Sequence, residues 1–248
     1  MNISIISIDP RYEILNRILN ENGHESKLAS FDDVGNPDAL VLPIKSVMSD
    51  EELKAIFSSI DDSTLVFSGE PQKINRFFKG KIIDYSADEA FLLENAYITA
   101  ECVLSILMNS FEKILCGSKM LVLGYGRIGE YLSEMLIDLN VDLYVYARRE
   151  EKKKRAELAG AKTVNLSDLG KYKFDAVLNT VPQKIISKEI TDSMKDTLFL
   201  ELASAPGGFE DENASEKARM LPGKMKKESA ARAIYKFIEN YLSSCKGG

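Results

Sequence analysis

Met120-Leu121-Val122-Leu123-Gly124-Tyr125-Gly126-Arg127-Ile128-Gly129 is a short apolar run followed at once by a GxGxxG pattern, and apolar residues then continue at helical spacing to about residue 139. A glycine-rich turn between a buried strand and an amphipathic helix is the phosphate-binding turn of a dinucleotide fold. Gly124 allows the tight turn, Gly126 lets backbone approach a pyrophosphate, and Gly129 lets the helix pack closely on the strand. The free N–H groups and positive end of the helix then face the phosphates. A glycine-rich turn with no ligand is the plainer alternative.

The second strand of such a unit decides which dinucleotide is taken. An NAD site places Asp or Glu at its end, about twenty residues on, to hold the ribose hydroxyls. Here residues 141–146 lead into Ala147-Arg148-Arg149. A carboxylate is missing and two guanidiniums follow, which suits a 2′-phosphate and predicts NADP. Lys152, Lys153 and Lys154 read instead as a solvated helix face. Asn179-Thr180-Val181-Pro182 follows a later strand, and Leu202-Ala203-Ser204-Ala205-Pro206-Gly207-Gly208 follows the next. In a parallel sheet both loops face the ligand crevice, the first beside the nicotinamide ribose.

Outward from this unit, strands and helices alternate along the chain, which predicts an α/β protein with two Rossmann-like, doubly wound parallel sheets. Strands are expected at residues 2–8, 38–42, 64–67, 81–83, 119–123, 141–146, 174–179 and 198–202. Helices are expected at 12–19, 51–58, 127–139, 150–158 and 226–242, with Asp9 and Asp50 as N-caps. Residues 88–115 hold no Gly or Pro and read as one long or broken connecting helix, ended by Gly117. The expected organisation is an N-terminal flavodoxin-like or Rossmann-like domain (1–90), a linker helix (91–116), an NADP-binding Rossmann domain (117–225) and a C-terminal helix (226–248).

Composition narrows the classes further. Of 248 residues 45% are hydrophobic and 28% charged, with 32 Lys and Arg against 38 Asp and Glu. A net charge of -6 disfavours nucleic acid. Without a signal peptide or an apolar run near the roughly 18 residues of a membrane span, a cytoplasmic protein without membrane contact is expected. Three cysteines without CxxC spacing point to neither disulfides nor a metal.

With these loops in view the chain resembles the family of dipicolinate synthase A-type chains. The resemblance is carried by Ile8-Asp9-Pro10-Arg11-Tyr12, Phe31-Asp32-Asp33, Thr99-Ala100-Glu101, Gly117-Ser118-Lys119, Gly124-Tyr125-Gly126-Arg127 and Tyr146-Ala147-Arg148. It extends through Asn179-Thr180-Val181-Pro182, Leu202-Ala203-Ser204, Pro206-Gly207-Gly208 and Leu221-Pro222-Gly223-Lys224. The resemblance implies a sporulation enzyme with NADP, a partner in the flavoprotein B subunit of dipicolinate synthase, and a dihydrodipicolinate-type substrate from the lysine pathway. The chain is short between Pro206 and Leu221, and Cys102 follows the Ala-Glu pair where the family tends to have Gly, which marks a divergent member.

Aromatising a dihydropyridine dicarboxylate removes a hydride and a proton, so the protein's tasks are to hold two carboxylates and place the ring. Lys224 is the first candidate carboxylate ligand and also a candidate catalytic residue. Backbone N–H groups of Gly207 and Gly208 are a candidate anion nest. Ser204 is a candidate hydrogen-bond donor, Arg11 a candidate carboxylate ligand, and Glu101 a candidate proton acceptor. His24, the single histidine, reads as a surface-loop residue; D-2-hydroxyacid dehydrogenases use a histidine acid in or just after the cofactor domain, and none stands there. Two other readings compete: an NADP reductase of another small carboxylate, and an NADP-binding regulatory or degenerate subunit without turnover. A homo-oligomer is left open.

Overall fold

The structure is a computed structural model that describes residues 1–45 and 48–246. It divides into two compact units, Met1–Asn95 with Pro222–Gly248, and Ala96–Leu221.

The first unit begins with β1 (Asn2–Ile6), α1 (Arg11–Glu21), β2 (Glu25–Ala29), β3 (Ala39–Val41) and α2 (Asp50–Ser58). It continues through β4 (Leu65–Ser68), α3 (Pro71–Ile74), β5 (Ile82–Asp84) and the start of α4 (Glu89–Ser110). The sheet order is β2-β1-β3-β4-β5 with every pairing parallel, the flavodoxin-like order. Its central strands β1, β3 and β4 are predominantly apolar, as expected where both faces are covered, whereas the edge strand β2 is polar. Leu40, Leu42, Leu53, Ile56 and Val66 are fully buried on one side, each contributing about 1.5–3 kcal/mol.

α2 is started by Ser49, not by Asp50 as expected. Ser49 Oγ accepts from Glu52 N at 3.2 Å while Glu52 Oε2 accepts from Ser49 N at 2.7 Å, a reciprocal capping box. Asp50 stands one residue inside, where its charge still suits the helix dipole. The N-cap of α1 is Pro10, not Asp9 as expected, and it carries no side-chain cap; Asp9 stands one residue earlier and accepts from Arg11 N at 3.1 Å.

Other features of this unit depart from expectation. Glu25–Ala29 forms a strand although its polar face carries no apolar alternation; pairing with β1 fixes it. His24, expected on a loop surface, has a side chain only 12% exposed, and its Nε2 lies 2.8 Å from Glu239 Oε1. Glu239 lies on α9 (Lys227–Lys246), which belongs to this unit and packs on α1.

The connecting helix α4 ends at Ser110, before the expected Leu115. Among the described residues it alone is long and apolar enough to cross a membrane, with 22 residues and a mean hydropathy of 1.4 over its best window. This corrects the expectation that no such run exists. Phe91, Ala96, Ile98, Ala100, Cys102, Val103 and Leu107 are buried, which is the apolarity of a core helix.

The second unit runs through β6 (Lys119–Leu123), α5 (Arg127–Asp138), β7 (Asp142–Tyr146), α6 (Glu150–Leu158), β8 (Lys162–Thr163) and β9 (Ala176–Asn179). It closes with α7 (Lys188–Ser193), β10 (Leu198–Glu201), β11 (Glu216–Lys217) and α8 (Leu221–Met225), whose body after Leu221 belongs to the first unit. The parallel order β11-β10-β9-β6-β7-β8 places β6 where the winding direction reverses. One face of the sheet buries Leu121, Leu123, Val177, Phe199 and Phe209.

Candidate dinucleotide site

The turn between β6 and α5 has the shape a pyrophosphate requires. Gly124 takes a left-handed φ of 98°, and its N–H donates to Tyr146 O at 2.8 Å across the β6–β7 ladder. A Cβ on it would stand 2.5 Å from Thr180 Oγ1, and one on Gly129 would collide with the Gly124 carbonyl oxygen. At Gly126 the outcome is the reverse: an added Cβ would meet nothing within 4 Å, because that side of the turn is open. Gly126 is the N-cap of α5 and supplies no side-chain cap, so the start of the helix, with its positive dipole end, lies at that open side. These residues fit a dinucleotide pyrophosphate. Arg127 is exposed, while Tyr125 is buried, and burial together with Glu134 raises its phenol pKa.

At the end of β7, Ala147 is buried and Arg148 and Arg149 are exposed, with Arg149 at the N-cap of α6. Among the described residues neither arginine forms an ion pair. Their basic neighbours differ: Lys152 and Arg155 both pair with Glu130 of α5, and Lys153 pairs with Glu150 at 3.3 Å. The structure thus separates two unengaged guanidiniums at the strand end from cations already matched along the helix.

Beyond β9, Thr180 donates to Leu123 O from both its N–H (2.9 Å) and its Oγ1 (2.8 Å), which pins the loop to the first strand. Val181 N donates to Asn179 Oδ1 at 3.0 Å, and Pro182 is exposed. The sheet therefore gathers residues 124–129, 147–149 and 180–182 along the carboxyl ends of β6, β7 and β9.

The loop after β10 contradicts one expectation. Gly207 N donates to Ser204 O at 2.9 Å and Gly208 N to Glu201 Oε2 at 2.6 Å, so neither amide is available to a substrate carboxylate. A carboxylate of the chain itself takes the Gly208 amide, and the Ser204 carbonyl takes that of Gly207. Ser204 is exposed at the rim of the loop.

The remaining candidates lie elsewhere. Glu101 is half-buried on α4 in the second unit. Arg11 and Lys224 belong to the first unit. Arg11, expected to reach a substrate, is 5% exposed and engaged with Asp9, its Nε and Nη2 donating at 2.9 and 2.8 Å. Burial is the largest single influence on Arg11 and opposes its charge, but the hydrogen bond to Asp9 and the electrostatic influence of Tyr12, Asp9 and Tyr85 together raise the guanidinium pKa. The pair is covered by Gly223, where a side chain would collide with both residues. Lys224, next along, is exposed.

Three participants had no role assigned from sequence: Asn179, Glu201 and Glu130. Glu201 had a legible signal, a charge inside the apolar strand Leu198-Phe199-Leu200-Glu201-Leu202. Glu130 had none, since a charged residue on an amphipathic helix is ordinary. The described residues contain no cluster of His, Cys, Asp and Glu suited to a metal ion.

Comparison with known proteins agrees with this geometry. The D-isomer specific 2-hydroxyacid dehydrogenase NAD binding domain matches residues 108–218. The dipicolinate synthase A chain of Bacillus subtilis is 25% identical over an alignment of 208 positions, covering 75% of this chain and 70% of that protein. The crystal structure of the dipicolinate synthase A chain from Bacillus halodurans superposes with a TM-score of 0.80 at 20% identity, covering 97% of each chain. A transhydrogenase from Sinorhizobium meliloti follows at 0.70 and 14% identity, covering 97% of this chain and 94% of that one. In sequence and in fold the chain is similar to the A-type chain of dipicolinate synthase, and residues 108–218 resemble the nicotinamide-dinucleotide-binding domain of D-isomer specific 2-hydroxyacid dehydrogenases.

Proposed function

We propose that the chain is an NADP-dependent oxidoreductase subunit that forms pyridine-2,6-dicarboxylate from a dihydrodipicolinate-type intermediate of the lysine pathway. The observation that carries the cofactor choice is the pair Arg148 and Arg149, exposed and, among the described residues, without ion-pair partners at the end of β7, where an NAD site would carry a carboxylate. Similarity to the dipicolinate synthase A chain supports the substrate class. The relative's name marks it as one component of a larger synthase, and a flavoprotein B subunit is the proposed partner.

When bound, NADP supplies the hydride acceptor: the dihydropyridine loses a hydride and a proton and becomes aromatic, giving NADPH. The chain's own residues position and hold. The N–H groups at the start of α5 hold the pyrophosphate, and Arg148 with Arg149 hold the 2′-phosphate. Lys224 and Ser204 are the proposed substrate ligands and Glu101 the proposed proton acceptor. Arg11, paired with Asp9, supports the segment that carries Lys224.

A second reading, a subunit that binds NADP without turnover, is favoured by one observation: the amides of Gly207 and Gly208 are consumed internally. The deciding experiment supplies NADP and an enzymatically generated dihydrodipicolinate precursor, with and without a flavoprotein B subunit. Ultraviolet absorbance of dipicolinate that depends on this chain supports the synthase reading. Tight NADP binding without product in both conditions supports the second.

A further inference from the structure

Glu201 at the end of β10 is buried (3% exposed) and lies outside the pyrophosphate and 2′-phosphate contacts described above. Its Oε1 accepts from Asn179 Nδ2 at 2.7 Å and from Ala203 N at 3.0 Å, and its Oε2 accepts from Gly208 N at 2.6 Å. Gly207 passes so closely, with a left-handed φ of 77°, that a Cβ there would stand 2.5 Å from Oε2. Asn179, also buried, closes on its own loop: Nδ2 donates to Val181 O at 2.9 Å and Oδ1 accepts from Val181 N at 3.0 Å. Glu201 and Asn179 are register partners on adjacent strands, and Asn179 is in turn opposite Leu123 of β6.

One carboxylate thus joins two strand-end loops, residues 179–182 after β9 and residues 203–208 after β10. Backbone bonds extend the seam, with Ile185 N and Ile186 N donating to Gly208 O at 2.8 and 2.9 Å and Glu210 N donating to Ile186 O at 2.9 Å. Burying a carboxylate is costly unless its oxygens are hydrogen-bonded, and an apolar side chain would fill the same space at lower cost. What an apolar side chain lacks is the capacity to accept from three donors on two loops.

The sheet order assigns those loops to one half of the ligand. In a doubly wound sheet each half binds one mononucleotide, so β6-β7-β8 takes the adenosine side and β9-β10-β11 the nicotinamide side. We propose that Glu201 is the positioning residue of the nicotinamide half-site, holding the backbones of residues 179–181 and 203–208 in the register that receives the nicotinamide ribose and ring. This rests on the dinucleotide reading above and deepens it, independently of whether the 2′-phosphate is present.

Calorimetric titration separates the halves. NADPH and NADH are each compared with their adenosine-side fragments, 2′,5′-ADP and 5′-ADP, on the wild type and on Glu201→Gln. The amide variant keeps the shape but turns one N–H donor toward another, at Gly208 or at Asn179 and Ala203. The expected result is about tenfold weaker binding of the whole dinucleotide, with the fragment unchanged within about twofold. A fold merely loosened by the substitution would weaken both alike, and that outcome, or unchanged dinucleotide binding, overturns the proposal. Should Glu201→Gln not fold, Asn179→Ser cuts the same link while leaving the carboxylate in place, and the same split is expected. A wild type that binds a fragment but no whole dinucleotide better than it also overturns the proposal, whereas a wild type that binds neither overturns the dinucleotide reading itself.

Discussion

Gly129 and Gly124 stand in direct backbone contact: a methyl group on Gly129 would run into the Gly124 carbonyl oxygen, whereas one on Gly126 would project into open space. The three glycines of one motif therefore have different physical roles, and substitution separates them. Gly129→Ala is expected to cost about 1–3 kcal/mol through forced separation of α5 from β6, read as a lower urea midpoint. Gly126→Ala, at an ordinary φ of -88°, should leave the midpoint nearly unchanged and weaken dinucleotide binding at least about tenfold. Equal losses of stability in both variants would contradict this division.

The basic residues around α6 divide in the same manner. Among the described residues Arg148 and Arg149 form no ion pair, while Lys152 and Arg155 are matched by Glu130. Replacing Arg148 and Arg149 by Ala should weaken NADPH at least about tenfold relative to NADH, from the loss of charge-assisted hydrogen bonds. Lys152→Ala should leave the NADPH to NADH preference within about twofold. Loss of both dinucleotides in equal proportion in the double arginine variant would refute the 2′-phosphate assignment.

Asp9 and Arg11 form a buried pair whose members depend on each other. Removing the carboxylate in Asp9→Ala leaves a guanidinium buried without its partner and should cost about 3–5 kcal/mol. The double variant Asp9→Leu/Arg11→Met should cost less than the sum of the single variants, because it removes the charge as well as its partner. Urea midpoints of the singles and the double complete the cycle, and simple additivity would show that the pair is not coupled.

Tyr12 gives the first unit an alkaline dependence. Burial raises its phenol from 10.0 to about 12, and Ile44 N donates to its oxygen at 3.1 Å. The neutral form is thus favoured in the folded chain. Its stabilisation is complete below pH 10 and is lost as pH climbs from about 10 to about 12, because the unfolded chain ionises first; the loss amounts to about 3 kcal/mol. Tyr12→Phe should be less stable at pH 8, since Ile44 N loses its acceptor, yet decline less steeply between pH 9 and 11. Parallel slopes for the two proteins would remove Tyr12 from the alkaline transition.

Much of the second unit was legible because its signals are local. The strand at 119–123 and the helix at 150–158 have the bounds read from sequence, and α5 and β7 differ by a residue at one end. An apolar run ending in GxGxxG constrains a strand, a turn and a helix within a dozen residues. The short edge strands β2, β8 and β11 escaped notice because they are polar and brief, and only the neighbouring strand makes them strands. The end of α4 at Ser110 was missed because the absence of Gly and Pro permits a helix to continue without requiring it.

By itself, then, the sequence determined the alternation of apolar strands and amphipathic helices, the phosphate turn and the arginines that follow β7, all of them patterns that nearby residues impose on each other. Tertiary structure decided the partnerships between residues far apart in the chain. Glu201 accepts from Asn179 only because β9 and β10 lie side by side, and His24 meets Glu239 only because α9 returns to α1. A carboxylate or an imidazole has no preferred partner in an extended chain; burial removes water and leaves it the donors and acceptors that the fold has brought within reach.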